Sequence, residues 1–315
     1  IFLSSAFISI ILGLLVGNII KINQQIQWFA NFSLKSILRI GIAFLGIGLS
    51  ITQLIEYGTI GFFLIIMNIF LVLIIIFYLC KLFKIQKSLG YLITMGTSIC
   101  GVTAVIATSS IIKADKNETS YAIAIVTLFG MITVFTYPYL ANYLFKDNAE
   151  LAGVFLGTSI NDTAQVSAAG YIYSENYNSE RTLNASMTTK LLRNSFLVFL
   201  IPLIAYISSK NDAVSVKGSI KKFFPLFVLG FICFSLMRSL GDQFILDTNY
   251  FFYWEKLINL IKISSKYCIL LAMVSLGLQT NIKELIKLGF KPLIIGFTAS
   301  ISIGIISIIY LKNFV

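Results

Sequence analysis

The hydrophobic and polar positions divide the chain into apolar stretches of helical length that are separated by short polar connections. An α-helix needs about 20 apolar residues to span a bilayer, and most of these stretches reach that length. The predicted segments lie at about 1–20, 34–52, 59–80, 88–112, 119–144, 150–173, 183–207, 219–240, 258–279 and 289–311. The pattern predicts an all-α polytopic membrane protein with about ten membrane segments.

Two of these segments are interrupted by the same short polar phrase. The sequence GTSI occurs at 96–99 within segment 88–112 and again at 157–160 within segment 150–173. Unwound backbone is tolerated at membrane depth only where it is buried in protein or lines an aqueous cavity. We therefore interpret both segments as broken, half-helical elements that meet inside the membrane.

A second repetition links the two ends of the chain. Residues 45–50 resemble residues 274–279, and each stretch ends a segment that is followed by a polar connection and another span. If the broken segments are re-entrant hairpins, all repeated pairs become inverted repeats, as in many transporters. Crossing broken helices are the alternative, but one duplication does not easily produce that arrangement. The repeats predict scaffold halves at 1–87 and 208–315 around a core at 88–207.

Composition supports a membrane protein and argues against nucleic-acid binding. Hydrophobic residues make up 57% of the chain and charged residues 12%, whereas soluble domains carry about 25% charged residues. The mean hydropathy is +0.90. The formal charge of +11 is explained by lysines that flank membrane segments and set their orientation, so no nucleic-acid partner is expected.

The positions of the lysines predict the orientation. In the hairpin topology one side of the membrane receives Lys21, Lys81, Lys84, Lys87, Lys113, Lys116, Lys210, Lys217, Lys221, Lys222, Lys283, Lys287 and Lys291. The other side receives chiefly Lys146, Arg181, Arg238, Lys256 and Lys312. Cytoplasmic loops carry the excess of basic residues, so the first side is predicted to be cytoplasmic.

Metal, cofactor and enzyme chemistry find no support in the sequence. Histidine is absent, and the four cysteines lie in apolar segments without CxxC spacing. Neither a disulfide framework nor a metal site is indicated by such a pattern. Because no nucleophile–base pair stands out either, we expect no enzymatic activity, no metal and no cofactor.

Two cations inside segment 183–207 are the sharpest chemical feature. Lys190 and Arg193 are three residues apart and share a helix face with Asn194. Each charge costs about 2.5–3.5 kcal/mol at the centre of a membrane helix, and such residues usually have a function. Asp162 is the sole carboxylate within either broken segment, so one positive charge is left over, which favours a small anion. The alternative is that the two cations snorkel to the surface.

These features give a candidate binding site. The predicted substrate-binding residues are Thr97, Ser98, Cys100, Thr103, Thr158, Ser159, Asn161, Gln165, Arg193 and Asn194, with Asp162 and Lys190 as ion-coupling residues. Close helix packing through small residues is the alternative for the GTSI phrases. For Asp162 the alternative is an N-cap of the following helix, a role that is compatible with coupling.

Several motifs resemble those of the YeiH family, bacterial inner-membrane proteins described as sulfate exporters. The matching stretches are GTSICGVTAVIATSSIIKADKNETSYAIAIVTLFGMITVFTYP, GTSINDTAQVSAAGYIYS, TKLLRN and SLGLQTNIKELIKLG, and the resemblance covers nearly the whole chain. Val102 and Thr103 replace the smaller residues usual after the first phrase. Asn161 stands where we expect a histidine, so proton transfer through such a histidine is not available to this protein.

The resemblance implies a secondary active transporter in a bacterial inner membrane that exports a small anion of the sulfate, sulfite or sulfonate class. By analogy with bile-acid, arsenite and cation–proton antiporter folds, a core would move against a scaffold within a homodimer, with a proton or sodium as coupling ion. One alternative is a sodium–proton antiporter that uses Asp162 and Lys190. Another is a membrane sensor or enzyme without net flux.

Overall fold

The computed structural model describes residues 4–20, 22–208, 226–245, 250–281 and 290–314, and these residues form helices with no β-strand among them. The helices are α1 (Ser5–Ile19), α2 (Gln24–Phe32), α3 (Leu38–Leu45), α4 (Ile51–Phe83), α5 (Lys87–Met95), α6 (Val102–Ile112), α7 (Lys116–Leu144), α8 (Ala149–Ser159), α9 (Thr163–Tyr177), α10 (Glu180–Ser195), α11 (Leu197–Ser208), α12 (Leu226–Ile245), α13 (Phe251–Gln279) and α14 (Phe290–Asn313). Two π-helical turns, Ser33–Ile37 and Gly96–Cys100, follow α2 and α5, and a 3₁₀ turn, Gly46–Gly48, follows α3.

Seven helical units in the described part of the chain are long and apolar enough to span a membrane. They are Gln24–Gly48, Ile51–Phe83, Lys116–Leu144, Glu180–Ile204, Phe227–Ile245, Phe251–Gln279 and Phe290–Asn313. Large apolar side chains such as Phe63, Tyr143 and Phe244 point outward with more than half of their surface exposed. The prediction of an all-α multi-pass membrane protein is confirmed.

Local sequence sets where many of these helices begin and end. Capping boxes start α4 at Ser50, α7 at Asp115 and α9 at Asp162, and each satisfies backbone N–H groups that have no partner within the helix. Lys84 and Asn178 adopt left-handed backbone conformations that end α4 and α9. The polar residues between the apolar stretches therefore terminate the helices as well as connect them.

The second broken segment doubles back on itself. At the start of α8, the carbonyl of Ala149 accepts a hydrogen bond from Thr182 Oγ1 near the start of α10 (2.7 Å). At the start of α9, Thr163 Oγ1 accepts one from Asn194 Nδ2 near the end of α10 (3.0 Å). Because α9 then returns to the start of α10, α8 and α9 run antiparallel and their connection lies beside the end of α10.

The first broken segment has the same arrangement against α7. Ser88 Oγ, near the start of α5, donates to Glu118 Oε1 in the first turn of α7 (2.5 Å). Ser109 Oγ, near the end of α6, lies 2.8 Å from Thr119 Oγ1 in that same turn. The outer ends of α5 and α6 therefore meet at the start of α7, and their connection lies deeper in the molecule.

The two helix pairs enter the protein from opposite ends. Helix α7 begins at the outer ends of the first pair and finishes just before α8, so it runs from one end of the molecule to the other. We call the end at which α7 begins the lysine-rich end, because the described lysines there are Lys81, Lys84, Lys87, Lys113, Lys116 and Lys291. Lys146, Arg181, Arg238, Lys256 and Lys312 lie towards the opposite end, as predicted. Predicted positions Lys21, Lys210, Lys217, Lys221, Lys222, Lys283 and Lys287 lie outside the described residues.

The described helices pack as two groups. Helices α1, α2, α3, α12 and α13 form one group, in which Ser265 Oγ donates to the carbonyl of Gly41 (2.7 Å). Helices α4 and α14 pack against the two broken helix pairs, which are α5 with α6 and α8 with α9. A hydrogen bond from Asn68 Nδ2 to Ser307 Oγ (3.1 Å) joins α4 to α14. The division into halves 1–87 and 208–315 around a core at 88–207 stays a prediction, and α4 and α14 lie on the core side of it.

Candidate functional site

The two broken pairs meet at their interruptions, which we call the first break (residues 96–101) and the second break (residues 160–162). In the first, Gly101 ends a π-helical turn with φ +71° and ψ −133°, a backbone conformation that side-chain-bearing residues avoid. In the second, Ile160 and Asp162 are extended. Each break leaves carbonyl groups at the end of one half-helix and N–H groups at the start of the next without helical partners.

Lys190 binds the carbonyl ends of both breaks. Its Nζ donates to the carbonyls of Ile99 (2.7 Å), Ile160 (3.0 Å) and Asn161 (2.5 Å). An ammonium group carries three N–H donors, so all of them are used. The side chain is 0% exposed, and the alternative that it snorkels to the surface is therefore wrong.

Arg193 binds the same two ends one helical turn further along α10. Its Nε donates to the carbonyl of Ser98 (2.7 Å), and its Nη1 donates to those of Thr158 (2.8 Å) and Ile160 (2.9 Å). Its Nη2 donates to the carbonyl of Thr97. A guanidinium has five N–H donors, so four of them hold backbone carbonyls, and the side chain is 1% exposed.

The charges complement the helix ends that they contact. The carbonyl end of a helix carries about half a negative charge and its N–H end about half a positive charge. Lys190 and Arg193 stand at the carbonyl ends of α8 and of the π-helical turn after α5. This arrangement explains how the two cations can be buried although none of the described carboxylates lies within ion-pair distance of them.

Asp162 stands at the opposite, N–H ends of the half-helices. Its Oδ1 accepts a hydrogen bond from the backbone N–H of Ala164 at the start of α9 (2.9 Å), and its Oδ2 lies against Gly101 of the first break, where an added Cβ atom would be 2.4 Å away. Gln165 Oε1 accepts from the Asp162 N–H (3.1 Å) and completes the capping box. The N-cap interpretation is confirmed, and the same carboxylate reaches both breaks.

The other predicted polar residues have distinct surroundings. The hydroxyls of Thr97 and Thr158 donate to carbonyls of their own helices. Asn161 Nδ2 bonds to the Val126 carbonyl and to Ser300 Oγ, both at 3.3 Å. Unpaired, buried polar atoms remain close to the breaks, at Ser98 Oγ, Ser159 Oγ, Asn161 Oδ1 and Asn194 Oδ1.

The accessible side of the site is the one with the N–H ends. Asp162, Thr163 and Val102 are partly exposed, and Thr103 is exposed on the first turn of α6. Cys100 and Gln165 are buried, and Gln165 Nε2 donates to the carbonyl of Thr127 (3.3 Å). A ligand that approaches the breaks would therefore meet Asp162 and Thr103 before it met the buried cations.

Ser300 and Ser307 on α14 were not predicted. Ser300 Oγ accepts from Asn161, and Ser307 Oγ contacts Thr158 Oγ1 (3.2 Å) and Asn68. The two serines are seven residues apart and therefore share one face of a helix. That spacing of hydroxyls within an apolar segment was the available signal.

The described ion pairs lie away from the breaks. They are Arg238–Asp242, Lys262–Glu180 and Lys266–Glu175. No group of three or more metal-ligating side chains occurs within the described part of the chain. Among the residues that the structure describes, the charged groups that face the breaks are those of Asp162, Lys190 and Arg193.

Replacement of Gly101 by alanine tests the docking of the two breaks. A Cβ atom there would lie 2.4 Å from Asp162 Oδ2, and the positive φ adds backbone strain of about 1–3 kcal/mol. We expect Gly101→Ala to lower the thermal unfolding midpoint of the purified protein. Gly58→Ala is the matched control, because nothing lies within 4 Å of its added Cβ. Equal midpoints for the two variants would contradict the close approach.

Comparison with known proteins gives a family. A family model described as Conserved hypothetical protein 698 matches residues 2–296. The UPF0324 membrane protein FN0533 of Fusobacterium nucleatum is 32% identical over 304 residues, which is 95% of this chain and 88% of the relative. The UPF0324 membrane protein SAG1125 of Streptococcus agalactiae is 31% identical, over 95% of this chain and 87% of the relative. A UPF0324 membrane protein of Streptococcus mutans has the same identity and the same coverages. No solved structure matches the chain. The chain therefore belongs to the UPF0324 membrane protein family, which confirms the resemblance drawn from its motifs.

Proposed function

We propose that the chain is a secondary active transporter that carries a small anion, of the sulfate, sulfite or sulfonate class, across a bacterial inner membrane. The observation that carries this proposal is the charge at the breaks. Two fully buried cations, Lys190 and Arg193, face one carboxylate, Asp162, so ionised side chains leave one positive charge. A low-dielectric site with excess positive charge attracts an anion.

The cations are proposed to supply charge and to hold the breaks together, while other groups contact the anion. All three donors of Lys190 and four of the five of Arg193 are engaged with carbonyls. The starts of α6 and α9 offer backbone N–H groups and a positive dipole end, which together suit an oxyanion. The exposed hydroxyl of Thr103 adds a donor on the first turn of α6, and the buried Ser98 Oγ, which has no hydrogen-bond partner, lies within the first break.

Asp162 is proposed to couple transport to protons. Its carboxylate caps α9 and lies against Gly101, which directly precedes α6. The starts of these two helices are also the place that suits an incoming anion. While Asp162 is ionised it competes with that anion. Once protonated, the carboxyl group is neutral and no longer competes, so a proton and the anion would bind together. No histidine is needed for this step, which fits Asn161 in the position where we expected one.

The helix directions support inverted repeats and alternating access. The broken pairs enter from opposite ends, and α14 runs antiparallel to α4, as the pairing of segments predicts. The structure has seven long apolar units in its described part, and we propose that α1 and the two broken pairs are further membrane segments, which would give about ten. The two helix groups meet around a cavity of about 290 Å³ at the ion pairs Lys262–Glu180 and Lys266–Glu175. We propose that the groups shift there during transport, within a homodimer.

Reconstitution into proteoliposomes tests the function. We expect uptake of isotopically labelled sulfate down a proton gradient, with competition from sulfite or small sulfonates and none from a cation. Empty liposomes and protein-containing liposomes without the gradient are the controls. Absence of protein-dependent flux for all three anions would refute the proposal.

A sodium–proton antiporter is the second candidate, and one observation favours it. The side-chain amide oxygens of Asn161 and Asn194 have no hydrogen-bond partner and lie near Asp162, and oxygen atoms are the ligands that hard cations prefer. This candidate predicts proton release that depends on sodium and does not depend on sulfate. The same proteoliposomes, loaded with a pH-sensitive dye, distinguish the two candidates.

A further inference from the structure

A groove at the lysine-rich end differs from the breaks in its chemistry, because apolar side chains and lysines line it. It has a volume of about 830 Å³ and runs between the last turns of α4 and the start of α5. The lining residues are Leu73, Ile74, Ile76, Phe77, Cys80, Lys81, Lys84, Ile85, Lys87, Gly90, Tyr91 and Thr94. Apolar side chains form its length, and the charged side chains are gathered at one end.

The charged side chains that line this groove have a single sign. Lys81, Lys84 and Lys87 line its mouth, and no carboxylate is among the lining residues. All three are exposed. The left-handed conformation of Lys84 ends α4 and turns the chain into α5, which brings lysines from both helices to one place. Such a cluster fits a phosphate-bearing partner.

The apolar wall has the length of a lipid tail region. Leu73 and Lys84 are eleven residues apart on α4, which corresponds to about 16 Å at 1.5 Å per residue. This is about half of the roughly 30 Å hydrocarbon core of a bilayer, or one leaflet. Ile74 is 62% exposed and Phe77 58% exposed along the wall. The lysines would therefore stand at headgroup level when the wall stands among acyl chains.

We propose that this groove binds one anionic phospholipid, with its phosphate at Lys81, Lys84 and Lys87 and its chains along the apolar wall. Basic pockets between membrane helices on the cytoplasmic side suit such lipids, and the lysine distribution predicts that side for this end. The stretch 209–225 of the chain carries four lysines and one aspartate, so its net charge has the same sign as that of the three groove lysines. Since the groove wall continues through α5 to Thr94, the lipid braces the helix that leads into the first break.

Native mass spectrometry of the detergent-purified protein tests the site. We expect phosphatidylglycerol to bind at least tenfold more tightly than phosphatidylcholine with the same chains. Inorganic phosphate and glycerol phosphate, which lack chains, should not bind. The triple variant K81Q/K84Q/K87Q should lose about tenfold or more of the phosphatidylglycerol affinity, since each lysine near an anionic lipid surface contributes several-fold.

The matched control is K113Q/K116Q/K291Q, which removes three lysines from the same end outside the groove lining. It should keep wild-type affinity for phosphatidylglycerol. Circular dichroism of both variants without added lipid checks that the fold is unchanged. The proposal is overturned if the two triple variants lose affinity equally, if phosphatidylcholine binds as well as phosphatidylglycerol, or if phosphate alone binds as tightly as the lipid. None of these outcomes depends on whether the protein transports an anion.

Discussion

Replacement of Arg193 by alanine is expected to destabilise the protein by roughly 3 kcal/mol or more and to abolish anion binding. The guanidinium is the side-chain donor for the carbonyls of Thr97, Ser98 and Thr158. A buried polar group that loses its partner costs about 1–3 kcal/mol. Loss of the charge also removes the positive excess at the breaks, so the effect on binding is expected beyond the effect on stability.

Thermal unfolding and sulfate binding, measured on the same preparations, check this prediction. Arg181→Ala is the matched control, because Arg181 lies in the first turn of the same helix and is exposed. Arg193→Lys separates the two effects. It keeps the charge but loses the planar fork of donors, so it should bind the anion while unfolding earlier than the wild type. If the unfolding midpoint of Arg193→Ala were no lower than that of Arg181→Ala, the hydrogen bonds from Arg193 to the carbonyls would not stabilise the fold.

Replacement of Asp162 by asparagine is expected to strengthen anion binding and to remove its dependence on pH. In the proposed function, the ionised carboxylate of the wild type opposes the anion and its protonated form does not, so the affinity for the anion should rise as the pH falls. A unit charge a few ångströms away, at an effective dielectric constant of about 20, is worth about 3 kcal/mol. We therefore expect an affinity gain of at least tenfold at mildly alkaline pH and no accompanying proton movement.

The measurement is a sulfate titration of the purified protein at mildly acidic and mildly alkaline pH, followed by flux with a pH-sensitive dye. Asp147→Asn is the control, since it makes the same chemical change at an exposed position between α7 and α8. Weaker sulfate binding by Asp162→Asn, with the pH dependence of the wild type retained, would rule out competition between the carboxylate and the anion.

The sequence located the breaks and their charges because both violate the apolar pattern of a membrane segment. A lysine and an arginine within segment 183–207 could be tolerated only with partners, and the GTSI phrases marked where helical hydrogen bonding would fail. The partners themselves were not foreseeable. Lys190 and Arg193 bind main-chain carbonyls, and a carbonyl leaves no mark in the sequence of side chains.

Tertiary packing also decided the contacts of Asp162. Its capping of α9 follows from the local Asp162–Gln165 spacing, but its contact with the first break depends on how the backbone at Gly101 approaches from another segment. The role of α14 was missed for a similar reason. Ser300 and Ser307 look like tolerated small residues until Asn161 and Thr158 are placed against them.

The grip of α10 on both breaks constrains how the protein can open. Six carbonyls from the two breaks accept hydrogen bonds from Lys190 and Arg193 of α10. If either break moved away alone, a buried cation would lose its hydrogen-bond partners. A gate formed by the independent opening of a single hairpin is therefore disfavoured. For the transport proposed above, the two breaks and α10 would have to move together as one rigid body past the remaining helices.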